Sequence, residues 1–213
     1  MSYSLSVYKG NNPVPNYLTF DEVRRLIDAC LEVPSFLKYK TSKRNYLLLE
    51  TLWQTGCRLG EIIGGYRYKD KTIIGEYPGI RGKDLDIRAG TITAYVEKHN
   101  KLMTRQVSIE ISLIAELIQF YTSEGIPYDQ KIFQVNKRQT QNIIKIVAKY
   151  AGINHRVNPH ILRHSHAMYM RNSGVHAFVM QKDLAHSSIG STLVYSGATE
   201  EDVAIAKAQI KWR

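Results

Sequence analysis

Residues 158–195 read NPHILRHSHAMYMRNSGVHAFVMQKDLAHSSIGSTLVY. Asn158-Pro159 is a helix start, with Asn as the cap and Pro in the first turn. The helix is expected to end near Asn172-Ser173-Gly174. A second is expected from Val175 to Ala185. A short third, capped by Ser187 or Ser188, holds Tyr195. His160 and Arg163 stand three apart and share a helix face. His160 lies in the first turn, where free N–H groups and the helix dipole favour an anion, and a phosphate docked there would meet Arg163 as a bidentate fork. His186 precedes Tyr195 by nine residues. His164 and His166 read as core or surface histidines. His160 and His164 have zinc-compatible spacing, but the Glu of a metalloprotease helix and a third ligand are missing, so no metal or other cofactor is expected.

Upstream, Thr55-Gly56-Cys57-Arg58-Leu59-Gly60-Glu61 follows the nearly apolar run Tyr46–Trp53, which suits a helix buried on most sides. Gly56 fits the helix C-terminus, and Arg58 falls in the turn or short helix behind it. Glu61 is placed to pair with Arg58. Two arginines, two histidines and a late tyrosine are the parts needed to attack a phosphodiester: guanidiniums hold the phosphoryl oxygens, imidazoles move protons, and a phenol becomes a covalent nucleophile.

The remaining segments support a mainly helical chain. Thr19-Phe20-Asp21-Glu22 is a capping box before Val23, Leu26, Ile27, Cys30 and Leu31 at helical spacing. Residues 1–17 read as a loose arm and Ser35–Lys43 as a basic linker. Gly64–Gly82 reads as an irregular loop with a short strand around Thr72–Ile74. Leu85/Ile87, then Ile92/Ala94/Val96, then Gln106–Ile109 give a small three-stranded antiparallel sheet whose tip runs from Glu97 to Thr104. Helices are expected from Ser112 to about Tyr121, from Asn136 to Gly152, and after Thr199-Glu200-Glu201-Asp202.

The 213 residues suffice for one substantial domain. A net charge of +10 and a pI near 9.5 point to a polyanionic partner. The two cysteines, Cys30 and Cys57, are too few for a zinc ribbon or disulfide scaffold. The N-terminus lacks a signal-peptide layout, and no apolar run reaches the roughly 18 residues of a membrane span, so a cytoplasmic, nucleoid-associated protein is expected. Two basic stretches suit DNA: Lys38, Lys40, Lys43 and Arg44 in the linker, and Lys137, Arg138, Gln139, Asn142 and Lys145 leading into a helix whose side chains match phosphates and base edges.

The Thr55–Glu61 motif, His160-Ile161-Leu162-Arg163, and Leu184-Ala185-His186-Ser187-Ser188 followed by Tyr195, in this order with a hairpin between the arginine motifs, resemble the signature set of the tyrosine recombinases, the family of phage integrases, Xer-type recombinases and Cre. The resemblance spans Leu18 to Thr199. It implies a helical catalytic domain with a small sheet, acting on double-stranded DNA without metal or ATP. Arg58 and Arg163 would bind the scissile phosphate, His160 would assist proton transfer and His186 would hydrogen-bond the phosphate. Tyr195 would attack to give a 3′-phosphotyrosyl link and a free 5′-hydroxyl. A hairpin lysine would protonate that 5′-oxygen. Position favours Lys98, with Lys101 as the alternative, because the glycines usual beside that lysine are absent. Glu61 would orient Arg58. Ala185 stands where the family usually has glycine, and Gly64–Gly82 is an insertion. Only about 17 residues precede the resemblance, so the family's N-terminal DNA-binding domain is expected to be absent. A tetramer on DNA is implied, with residues 200–213 as a helical tail packing in cis or in trans. A topoisomerase-like nicking-closing enzyme and a catalytically silent DNA-binding module are the competing readings.

Overall fold

The computed structural model describes residues 16–98, 101–186, 188 and 190–195. Helix α1 (Phe20–Glu32) opens on the Thr19/Glu22 capping box and buries Val23, Leu26, Ile27 and Cys30. Pro34 then opens a short helix, α2 (Pro34–Lys38), inside the stretch expected to be a linker. The fixed φ of proline is pre-organised for a first helical position. A turn at Lys40, φ +52°, leads to α3 (Ser42–Thr55), which is buried along Leu47, Leu48, Leu49 and Leu52. Gly56 ends it at φ +56°, where an added Cβ would lie 2.5 Å from the His166 ring, so both backbone and neighbour require glycine. Arg58 then caps α4 (Leu59–Ile63).

The segment expected to be an irregular loop with a short strand around Thr72–Ile74 contains that strand, paired with a second in a hairpin whose register shifts between Arg67 and Tyr68. Strand β1 (Gly65–Lys69) pairs antiparallel with β2 (Thr72–Tyr77). Asp70 and Lys71 turn it at φ +47° and +68°. A two-residue turn with positive φ matches the twist of the flanking strands, and it is usually announced by glycine; Asp-Lys gives no such cue. Strand β3 is only Leu85–Asp86. It pairs with β4 (Thr91–Lys98), and β4 with β5 (Lys101–Ser108), forming the expected three-stranded antiparallel sheet. Ile92, Ala94 and Val96 alternate inward. The ladder reaches Lys98↔Lys101, so most of the supposed tip is strand.

Helices α5 (Ile111–Ser123), α6 (Lys137–Tyr150), α7 (Pro159–Asn172), α8 (Ala177–Asp183) and α9 (Gly190–Leu193) complete the described chain. The fold is therefore mainly α with a small antiparallel sheet. The expected last helix and most of the N-terminal arm lie outside the described residues. One buried apolar cluster joins α1, α3, α5, α6 and the sheet, from Leu18 to Leu162. A separate small one consists of Ala167, Met168, Met180, Leu184 and Tyr195. Among the described residues no helix is long and apolar enough to cross a membrane.

Candidate active site

Arg163, on α7, is 6% exposed. Its Nη1 donates to the Gly56 carbonyl at 2.6 Å and its Nη2 to the Leu184 carbonyl at 2.6 Å. One guanidinium thus ties the end of α3 to the turn after α8. Burial and then Arg58 push its pKa down, but guanidinium basicity leaves ample reserve and the group stays charged. Arg58 is more open, with 45% of its side chain exposed. Its Nη1 donates to Glu61 Oε1 at 3.1 Å, and its own N–H donates to Glu61 Oε2 at 3.1 Å. Glu61 is 1% exposed, so a buried carboxylate holds Arg58 through two contacts, one to its guanidinium and one to its backbone.

Tyr195 is 4% exposed and belongs to the small apolar cluster. Its hydroxyl lies 2.5 Å from His164 Nδ1. Its ring lies parallel to that of His186, with centroids 6.4 Å apart and planes at 16°. Burial raises the phenol pKa and the positive charge of Arg163 partly opposes this. His186 Nδ1 is 2.8 Å from the buried Thr192 hydroxyl. Its pKa falls to about 4, through burial first, then Arg163, Arg58 and His164. His160 is exposed at the start of α7. Burial of its ring, then Arg163, Lys137 and Arg58, lower its pKa. The N–H groups expected to be free for an anion there are not: Asn158 Oδ1 accepts from His160 N at 2.9 Å and Ile161 N at 3.1 Å. The N-cap occupies the donors, which leaves side chains to hold any phosphate.

Two residues that carry this geometry were not singled out by the sequence. His164, read as structural, is the contact of the Tyr195 hydroxyl. Arg105, on β5, donates to the Asp183 carbonyl and, at 3.2 Å, to Cys57 Sγ. A signal for Arg105 was present: it pairs with Ala94, which is 1% exposed, so a cation sits on the inward face of the sheet and needs a partner. The signal for His164 was weaker, since a residue beside Arg163 on one helix turn points elsewhere unless a neighbouring segment folds over it. His166 bridges the Trp53 carbonyl, 2.8 Å away, and the Asp183 carboxylate, 3.0 Å away. Ala185, in the position usually glycine, takes φ +50°.

Lys98 and Lys101 are opposite each other at the end of the β4–β5 ladder, and Lys101 is exposed. The base of the inserted hairpin reaches the same ladder, where the Tyr77 hydroxyl donates to the Glu97 carboxylate at 3.3 Å. Lys137 couples electrostatically to His160. Gln139 caps α6 with Asn136, and Arg138 is exposed. Asn142 and Lys145 line a groove with His155, Arg156 and Asn158, which continues into one of about 650 Å³ lined by His160 and His164. Lys38, Lys40, Lys43 and Arg44 lie at the other end of α3 from Arg58, about 20 Å away by the rise per residue. There Lys43 pairs with Glu116, and Arg44 donates to Asn45 Oδ1 at 3.0 Å. Among the described residues, no group of three or more His, Cys, Asp or Glu side chains is placed to hold a metal ion.

Arg163 interacts electrostatically with Arg58, His160, His164, His186 and Tyr195, so two arginines, three histidines and a tyrosine form one cluster in a mainly helical domain. A family model of the phage integrase family matches residues 16–202, and the chain belongs to that family. It is similar to the tyrosine recombinase XerD of Bifidobacterium longum (strain NCC 2705), 26% identical over 207 residues, covering 94% of this chain and 64% of that protein. It is also similar to the tyrosine recombinase XerC of Thermodesulfovibrio yellowstonii (strain ATCC 51303 / DSM 11347 / YP87), 25% identical over 192 residues, 90% of this chain and 61% of that one. The chain spans about three fifths of the length of these two relatives. In fold it resembles the XerH site-specific recombinase bound to difH substrate in a pre-cleavage complex, with TM-score 0.70 and 17% identity over 97% of this chain and 56% of that one. It resembles the catalytic domain of bacteriophage HP1 integrase with TM-score 0.59 and 17% identity, over 91% of this chain and 94% of that one.

Proposed function

We propose that this chain cuts and rejoins double-stranded DNA at specific sites through a 3′-phosphotyrosyl intermediate on Tyr195. Residues 18–199 act as the catalytic domain, and residues 200–213 as a tail. Arg58 and Arg163 hold the scissile phosphate. As the Tyr195 oxygen bonds to phosphorus and the bond to the 5′-oxygen breaks, negative charge builds on the non-bridging oxygens, and the two guanidiniums offset it. His160 and His186, held neutral at pH 7 by burial and by the same arginines, stand as hydrogen-bond partners for those oxygens. Lys98, or Lys101 beside it, protonates the departing 5′-oxygen. The tyrosyl ester conserves the broken phosphodiester, so rejoining needs no ATP. Exchange between two sites uses a homo-oligomer on DNA, a tetramer.

Asn142 and Lys145, with Lys137, Arg138 and Gln139 at the start of α6, line the DNA path that leads to His160. Lys38, Lys40, Lys43 and Arg44, at the far end of α3 from Arg58, contact phosphates far from the cleaved one. The observation carrying the reading is the convergence of His164, His186 and Arg163 on the one buried tyrosine. The relatives called recombinases and the fold likeness to a recombinase on its DNA support it. The test is a nicked suicide duplex, whose broken strand diffuses away and traps the covalent adduct. Wild type becomes attached at Tyr195, and Tyr195→Phe does not. Attachment at another tyrosine, or no attachment with intact DNA binding, overturns the proposal.

A further inference from the structure

We propose that His164, rather than His160, takes the proton of Tyr195, which makes it a further catalytic residue of the site. This rests on the reading of Tyr195 as the nucleophile. The His164 Nδ1 contact with the hydroxyl is 2.5 Å, and the two rings are 5.8 Å apart between centroids. His160 lies one turn earlier on α7 and faces the groove. When the neutral ring carries its proton on Nε2, Nδ1 accepts, and the phenol is left as the donor.

The surroundings favour that neutral form. His164 is flanked by His160 and Arg163 on its own helix and by His186 and Tyr195 from the segment folded over it. Tyr17, His155 and Arg156 share its groove. Burial, then His160 and Arg163, hold its pKa below the ordinary 6.5. The Tyr195 hydroxyl is itself buried and raised in pKa, so the phenolate cannot form at neutral pH unless an acceptor touches it. The step balances within the site. The phenol O–H breaks and its proton goes to Nδ1. The phenolate oxygen bonds to phosphorus, the bond to the 5′-oxygen breaks, and the hairpin lysine protonates that oxygen. The groove lined by the His164 ring gives its second proton an exit to water. Rejoining runs the same transfers backwards.

The test uses the full chain, already bound to nicked duplex, with single-turnover attachment followed from pH 5 to pH 10. His164→Asn is expected to attach about 10²-fold more slowly at pH 7 and to bind DNA within about twofold of wild type. Its rate should keep climbing with pH, whereas the wild-type rate flattens above the His164 pKa. Added imidazole should restore part of the rate to His164→Ala. Attachment by His164→Asn within about threefold of wild type, with an unchanged pH profile, overturns the proposal. So does transfer of these signatures to His160→Asn. If substitution at 164 unfolds the chain, the Nδ1 nitrogen resonance of His164 decides. It should shift on Tyr195→Phe, and an unmoved resonance overturns the proposal. A covalent adduct on Tyr195→Phe would instead sink the nucleophile reading itself, so the two failures are distinct.

Discussion

Arg58 follows a helix whose Leu48, Leu49, Leu52 and Trp53 belong to an apolar cluster that extends from Leu18 to Leu162. Tyr195 belongs to a cluster of Ala167, Met168, Met180 and Leu184 alone. The Arg58 side is built on a large core. The Tyr195 side has little apolar packing and is held by polar ties: Arg163 to the Leu184 carbonyl, Arg105 to the Asp183 carbonyl, His166 to the Asp183 carboxylate, and His164 to the phenol. Such ties are directional and can be exchanged for a ligand's, whereas apolar contact area cannot. The difference gives one domain a firmly packed Arg58 side and a Tyr195 segment of lower local stability.

The sharpest way to break the comparison is at the residue that joins both sides. Arg163→Ala should reduce attachment by about 10²–10³-fold and also destabilise the fold, because two buried carbonyls lose their donor at about 1–3 kcal/mol each. Arg58→Lys should also slow attachment, because an ammonium cannot present the guanidinium's fork to a phosphate, but with little change in melting temperature, since a cation stays beside the buried Glu61 carboxylate and the side chain is nearly half exposed. Equal destabilisation by the two substitutions would show that Arg163 does not bridge the regions.

Leu184→Ala in the small cluster and Leu48→Ala in the large one remove the same atoms from fully buried sites, at about 2–5 kcal/mol each. Their effects should differ in reach. Hydrogen exchange in Leu184→Ala should accelerate in α8 and leave α3 nearly as protected as before, whereas Leu48→Ala should lower protection throughout. Uniform acceleration in both would merge the two regions into one cooperative unit.

How far the sequence went is visible in the same division. The regions built by local rules were legible: the Thr19 and Asn158 caps, the buried α3, the inward alternation of Ile92, Ala94 and Val96, and the order of motifs that carries the family. What it did not disclose depends on contacts between distant segments. His164 looked structural because its partner lies 31 residues on. Arg105 joins β5 to the end of α8, 78 residues away. The β1–β2 hairpin stayed hidden because Asp70-Lys71 adopts positive φ without glycine. The α7 amides were expected to serve an anion, and the cap that the sequence itself announces had already used them.

Acidification should strain the nucleophile's side first. The His186 pKa of about 4 lies below its ordinary 6.5, so the folded state binds fewer protons than the unfolded chain between these values. Stability is therefore unaffected by this group above about 6.5, declines as pH falls through the window, and declines no further on its account below about 4. His160 and His164 shift in the same direction. A melting temperature followed from pH 7.5 to pH 4 should fall less steeply for His186→Asn than for wild type. Parallel curves would mean that the ring is not buried in solution as it is here.

The smallest effect tests the turn that carries the segment. Ala185 at φ +50° adopts the left-handed region, at a cost of about 1–2 kcal/mol for a residue with a Cβ. Ala185→Gly removes that strain but gives the unfolded chain more freedom, which offsets about 0.4–1 kcal/mol. The net should be a stabilisation of up to about 1 kcal/mol, read from denaturant midpoints. The sign is what matters: with a negative φ at this position only the entropy difference would remain, and the substitution would destabilise.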